Sequence, residues 1–150
     1  MSVELPNSSS PPIVSVLMPT YNDGRYLRDA IDSILLQTFS YFELIIVDDG
    51  STDDTPLILS EYMDSRIRII TLPENMGRPT ARNTALEAAT GKYIAWMDAD
   101  DISMPKRLEK QVAFMEANPD IAVCSGAILN FFNIDGLHVP PLDSDSIRAG

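Results

Sequence analysis

Apolar residues in this chain fall into short continuous runs, separated by polar turns and by stretches in which apolar positions recur at helical spacing. Ile13 to Met18, rich in Val and Ile, predicts a strand buried on both faces. Leu27, Ala30, Ile31, Ile34 and Leu35 predict an amphipathic helix from Arg25 to Gln37. Phe42 to Val47 predicts a second strand. Start signals between Ser51 and Pro56 open a second helix, with Leu57, Ile58, Tyr62 and Met63 as its buried face. Ile67 to Leu72 reads as a third strand, and the Ala-rich stretch from Arg78 to Thr90 as a helix stopped by Gly91. Tyr93 to Met97 reads as a fourth, buried strand. Leu108, Val112 and Met115 mark a helix ending near Ala117, before Asn118-Pro119, and Ile121 to Ser125 reads as a fifth strand. Asp135-Gly136 predicts a hairpin turn. This alternation predicts an α/β domain over residues 13–139, with a Rossmann-like, mainly parallel sheet flanked by helices on both faces. A mobile Ser- and Pro-rich lead-in over residues 1–12 precedes it, and a frayed tail over 140–150 follows.

The strands end in chemistry. The first runs into Pro19-Thr20-Tyr21-Asn22-Asp23-Gly24, a turn-rich loop in which Tyr21 can stack on a ring or simply cover the sheet end. The second ends at Asp48-Asp49-Gly50-Ser51, where a carboxylate can bond a base edge or a ribose hydroxyl, or begin an Asp-Gly turn. The fourth ends at Asp98-Ala99-Asp100-Asp101. Ligands of open α/β sheets bind at the carboxyl ends of strands, so this cluster suits a divalent cation that in turn holds phosphates; it equally suits an acidic turn capping the next helix. Arg78 and Arg82 fall on the first turns of a helix, against the usual preference of cations for the other end, and there they suit a docked anion.

Charge sharpens that picture. With 22 acidic and 11 basic side chains the formal net charge is −11, which argues against nucleic acid or an anionic membrane surface as a partner. A phosphate site in so acidic a chain needs a metal ion or well-placed arginines. The single cysteine, Cys124, lies in an apolar run, reads as a buried core thiol and fits a reducing compartment. No apolar stretch reaches the length of a transmembrane segment, so a soluble, cytoplasmic protein is expected. His138, the only histidine, has no companion ligands nearby and reads as structural or solvated.

Four ordered motifs carry a resemblance. Val14-Ser15-Val16-Leu17-Met18-Pro19-Thr20-Tyr21-Asn22, then Leu44-Ile45-Ile46-Val47-Asp48-Asp49-Gly50-Ser51-Thr52-Asp53, then Gly77-Arg78-Pro79-Thr80-Ala81-Arg82-Asn83, then Asp98-Ala99-Asp100-Asp101 resemble, in order and spacing, the family 2 glycosyltransferases of GT-A fold. The resemblance implies a nucleotide-diphosphate sugar as donor, most often a UDP-sugar, transferred with inversion to an acceptor hydroxyl on a glycan, a lipid-linked glycan or a protein. Pro19, Thr20, Tyr21 and Asn22 would then lie at the donor, with Pro19 and Tyr21 lining the nucleobase pocket. Asp49 would bond the base, and Arg82 would face the pyrophosphate or the sugar. Asp98-Ala99-Asp100 matches the family's DXD motif, with Asp98 near the ribose or sugar and Asp100 the main ligand of Mn²⁺ or Mg²⁺. The family's general base belongs to an acceptor-binding half beyond residue 150, so no catalytic base is assigned, and the chain reads as a C-terminally truncated, donor-binding half. A non-catalytic nucleotide-sugar-binding or regulatory module is the alternative. A receiver-like domain built on Asp48-Asp49 leaves the other motifs unexplained, and a glycoside hydrolase does not need the arginine.

Overall fold

The computed structural model describes residues 11–126 of the 150-residue chain. Strands β1 (Val14–Thr20), β2 (Phe42–Asp48), β3 (Ile67–Thr71) and β4 (Tyr93–Trp96) alternate with helices α1 (Leu27–Leu35), α2 (Thr55–Ser60), α3 (Arg78–Ala88) and α4 (Arg107–Ala117). The four strands form one parallel sheet in the order β3-β2-β1-β4. Helices α1, α2 and α3 are the crossovers between successive parallel strands, and α4 follows β4.

β1 and β2 occupy the middle of the sheet and are apolar on both faces for that reason. On one face Val16, Met18, Leu44 and Ile46 pack with Leu27, Ile31 and Ile34 of α1, Ile58 and Leu59 of α2, and Leu108 of α4. On the other, Leu17, Ile45 and Val47 meet Ala81 and Ala85 of α3. Small residues on α3 let it lie close against the sheet, and helices thus cover both faces as the sequence predicts. Each fully buried Ile, Leu or Val contributes about 1.5–3 kcal/mol, so these two strands hold most of the hydrophobic stabilisation.

The amino ends of the strands are closed by a polar clasp. Ser15 Oγ donates to Glu43 Oε1 at 2.6 Å, and the N–H and hydroxyl of Thr90 donate to the same oxygen, both at 2.8 Å. Ser15 Oγ also accepts from Gly91 N–H at 2.8 Å, and a Cβ on Gly91 would stand 2.6 Å from the Ser15 nitrogen, so glycine is required there. The opposite ends of the strands are left free for a site.

Several expectations need correction. β4 is an edge strand among the described residues and is half-exposed rather than buried, with Ile94 and Trp96 39% and 40% accessible. α2 is a helix of only 6 residues, too short to present a periodic stripe; it buries the adjacent Ile58 and Leu59, whereas Leu57 and Met63 are exposed. Residues 121–126 form no strand. The N–H of Ile121 turns back to Asn118 O, and the run pairs with neither free edge of the sheet. Cys124 is accordingly half-buried rather than a core thiol. The hairpin at Asp135-Gly136, His138, the 140–150 tail and residues 1–10 of the lead-in lie outside the described residues.

Glu43 yields a prediction. Burial by itself pushes its carboxyl up, but the donors from Ser15 and Thr90 outweigh it and hold the carboxyl below the usual range. A depressed folded value gives stabilisation that is full above the unfolded value and is lost as pH falls through the folded one. Glu43→Gln should therefore cost about 1 kcal/mol near neutral pH, with the difference from wild type closing as pH falls through the depressed folded value. Thermal melts across pH check this; a difference independent of pH contradicts it.

Candidate donor-binding site

After β3, at one edge of the sheet, the chain crosses to β4 on the far side of β1, so the strand order reverses between β1 and β4. A crevice at the carboxyl ends of the strands is expected at such a switch point. A cleft of about 200 Å³ lies there. β1 and the loop after it supply Pro19, Thr20 and Tyr21; β2 supplies Asp49; α3 supplies Arg78 and Arg82; the turn after β4 supplies Asp98, Ala99 and Asp100. Of the residues expected at a donor, all but Asn22 line this cleft.

Asn22 is spent on fastening two loops. Its backbone is left-handed, with φ 56°; its Oδ1 accepts from the N–H groups of Thr52 at 2.8 Å and Asp53 at 3.3 Å, and its own N–H donates to Ser51 Oγ at 2.9 Å. Asp23, which sequence reasoning left in the turn, lines the cleft and accepts on one oxygen from the hydroxyl of Thr20 at 3.0 Å and the N–H of Tyr21 at 3.1 Å. An aspartate two or three residues after a strand end is a known turn former, and that was the available signal. Asn75 also lines the cleft and carried no signal of its own.

The two aspartates after β2 divide their work. Asp48 is fully buried; one oxygen accepts from Ser51 N–H at 3.0 Å, and Oδ2 has no hydrogen-bond partner among the described residues. Asp49 accepts from the N–H groups of Met76 at 2.7 Å and Gly77 at 2.9 Å, one on each oxygen, and so ties the β2 end to the loop before α3. Each of its oxygens can accept a further hydrogen bond, and the residue lines the cleft. Gly50 has φ 69°, and a Cβ there would stand 2.4 Å from the carbonyl carbon of Glu74, so the two loops meet too closely for any side chain.

Opposite, Ala99 is buried in the core while Asp98 and Asp100 on either side of it are exposed. Arg82 reaches across from α3: its Nη2 lies 3.5 Å from Asp98 Oδ1, and its guanidinium stacks 5.0 Å from the centre of the Trp96 ring. Both contacts are half-exposed, each worth no more than about 1 kcal/mol, so the arginine is free to exchange partners at little cost. Asp101 is held above the usual carboxylate range, first by its burial and then by the charges of Asp100 and Asp98. Three carboxylates crowd a turn that Arg82 meets across the cleft, with Arg78 also in the lining.

Among the described residues no group of three His, Cys, Asp or Glu side chains is arranged to enclose a metal ion. The donor set of Asp98 and Asp100 nonetheless fits a hard cation of the kind that takes one or two carboxylates from the protein and completes its shell with water and phosphate oxygens.

The model of Glycosyl transferase family 2 matches residues 15–139. The β-1,3-glucosyltransferase WfgD of Escherichia coli, named for UDP-Glc and α-D-GlcNAc-diphosphoundecaprenol, is 40% identical over 131 residues, covering 86% of this chain and 51% of WfgD. The uncharacterized glycosyltransferase MJ1057 of Methanocaldococcus jannaschii is 49% identical over 114 residues, 73% of this chain and 39% of that protein. The chain thus spans about half the length of such relatives or less. Among solved structures, S. aureus TarS 1-349 in complex with UDP-GlcNAc superposes with a TM-score of 0.67 at 34% identity, over 71% of this chain and 32% of that one. The mannosyltransferase PcManGT from Pyrobaculum calidifontis, in complex with GDP-Man and Mn²⁺, superposes with a TM-score of 0.68 at 30% identity, over 82% and 38%. The parallel sheet and its flanking helices are similar to those of GT-A glycosyltransferases, and the chain belongs to glycosyl transferase family 2.

Proposed function

We propose that this chain is the donor-binding half of an inverting glycosyltransferase that takes a nucleotide-diphosphate sugar, with UDP as the favoured nucleotide, together with Mn²⁺ or Mg²⁺. The observation that carries the reading is the meeting, in one cleft, of the Asp98 and Asp100 carboxylates with Arg82 in a chain of net charge −11. The complexes of TarS with UDP-GlcNAc and of PcManGT with GDP-Man and Mn²⁺ support the same class of ligand.

In this reading Tyr21, 42% exposed beside Pro19, stacks on the base, and Asp49 offers its remaining lone pairs to the base edge while holding the pocket wall. Arg82 leaves Asp98 for the diphosphate. Asp98, so released, faces the ribose or sugar, and Asp100 is the main protein ligand of the cation, with Asp98 as the second. A cation bound there acts as a Lewis acid on the diphosphate oxygens and offsets the charge that grows on the leaving group. The base that deprotonates the acceptor hydroxyl comes from beyond residue 150. Glycan, lipid-linked and protein acceptors are all compatible with this half, and a lipid-linked one is named for WfgD. No described helix is long and apolar enough to cross a membrane, and a cytoplasmic placement suits both the donor and the single thiol.

Two outcomes test this. In calorimetric titrations with UDP, binding should strengthen with Mn²⁺ or Mg²⁺ over chelator, and Asp100→Ala should remove at least about tenfold of that metal-linked affinity; failure of UDP, GDP and dTDP alike, with or without metal, contradicts donor binding by this chain. Arg82→Gln should weaken UDP about tenfold and leave uridine unchanged, because it removes a charge-assisted contact to phosphate. An equal loss for both ligands would mean that the arginine does not face the diphosphate.

A further inference from the structure

The acidic turn after β4 leads into a segment, Ile102 to Lys106, that has no regular secondary structure before α4 begins. Such a segment must find partners for its backbone groups outside a helix or strand. It finds them on Gln37, just past the end of α1, whose side chain is only 6% exposed. The two N–H groups of Gln37 Nε2 are shared among Met104 O at 2.7 Å, Ser33 O at 3.1 Å and Ser103 Oγ at 3.2 Å, and its Oε1 accepts from Leu108 N–H at 3.0 Å. Beside it, Ser33 Oγ accepts from Ser103 N–H at 2.9 Å while donating to Ala30 O at 2.7 Å, and Thr38 N–H donates to Pro105 O at 2.9 Å. Ser33 and Ser103 are buried as well.

The side chain is matched to this task. A primary amide on a two-methylene arm donates to the carbonyls and accepts from the Leu108 N–H at once; glutamate would set a carboxylate against the Ser33 and Met104 carbonyls, methionine would leave the Leu108 N–H unpaired, and asparagine is one methylene short. In a low-dielectric pocket a network of this kind is stiff when complete and costly when broken. Upstream of Asp100 the turn is pinned by Ala99 in the core; downstream it is pinned by Ser103 and Met104 on Gln37. Asp100 and Asp101 lie between the two anchors.

We infer that Gln37 is the positioning residue of the Asp98–Asp101 turn, fixing from the end of a neighbouring helix the backbone that presents Asp100 to the donor diphosphate and its cation. It touches neither ligand and acts through Ser103, Met104 and Leu108. The inference rests on the metal-dependent donor reading proposed above.

The test separates the two. In the 150-residue chain, UDP affinity is measured with chelator and with Mn²⁺, and amide exchange of Ser103 and Leu108 is followed without ligand. Wild type should gain affinity with Mn²⁺. Gln37→Ala should keep the metal-free UDP affinity, set by Tyr21 and Asp49, lose about tenfold of the Mn²⁺-linked gain, as is usual for partners that orient a ligating carboxylate, and exchange the Leu108 amide faster. Should Gln37→Ala not fold, Ser33→Ala, which removes the acceptor of the Ser103 N–H, is read in the same way for the Ser103 amide and the Mn²⁺-linked gain. An intact gain in a folded variant overturns the role of Gln37, and so does a loss of metal-free and metal-linked affinity in equal proportion. No gain in wild type overturns instead the metal reading beneath it.

Discussion

The site depends on the parallel pairing of β1 with β2, in which Thr20 stands beside Asp48. That register sets the β1 loop, with Tyr21 and Asp23, next to the β2 loop, with Asp49 and Ser51, before any ligand is present. It is enforced by apolar side chains on both faces of both strands. A slip of one residue would turn every one of them to the other face, against helices that do not match. β4 pairs on the other side of β1 and brings the acidic turn to the same end of the sheet. The chemistry therefore sits on loops, and the hydrophobic core fixes where those loops begin.

The loops are then tied to one another rather than left to the strands. Asn22 holds the β1 loop to Ser51, Thr52 and Asp53; Asp49 holds the β2 end to Met76 and Gly77; Gln37 holds the segment after the acidic turn to α1. In each case a polar side chain satisfies backbone N–H or carbonyl groups that no helix or strand could. These cross-loop bonds hold the loops of the cleft together, while Arg82 is held by two weak and exposed contacts only.

Much of this was legible in the sequence. Continuous runs of Val, Ile and Leu marked β1 and β2 because strands buried on both faces must be apolar throughout, and carboxylates directly after such runs marked the strand ends. What could not be read was anything depending on a neighbour. The run Ile121 to Ser125 has strand composition but pairs with neither free edge of the sheet, and α2 is too short for periodicity to point at its buried side. Asn22 was expected at the donor through the motif shared with the family, yet its side-chain oxygen accepts from a loop thirty residues on. Gln37 closed the first predicted helix and carried no further signal; its bonds appear only when Ser103 and Leu108 are brought beside it.

The account turns on whether the Asp98–Asp101 turn and Arg82 together form one diphosphate and cation site. The most direct measurement is anomalous scattering from crystals of this chain grown with UDP and Mn²⁺. A manganese peak within coordination distance of Asp100 and of both phosphates, with Arg82 moved from Asp98 to the diphosphate, is the predicted result. Nucleotide bound in the cleft with the manganese absent or held elsewhere, and Arg82 still on Asp98, would contradict it.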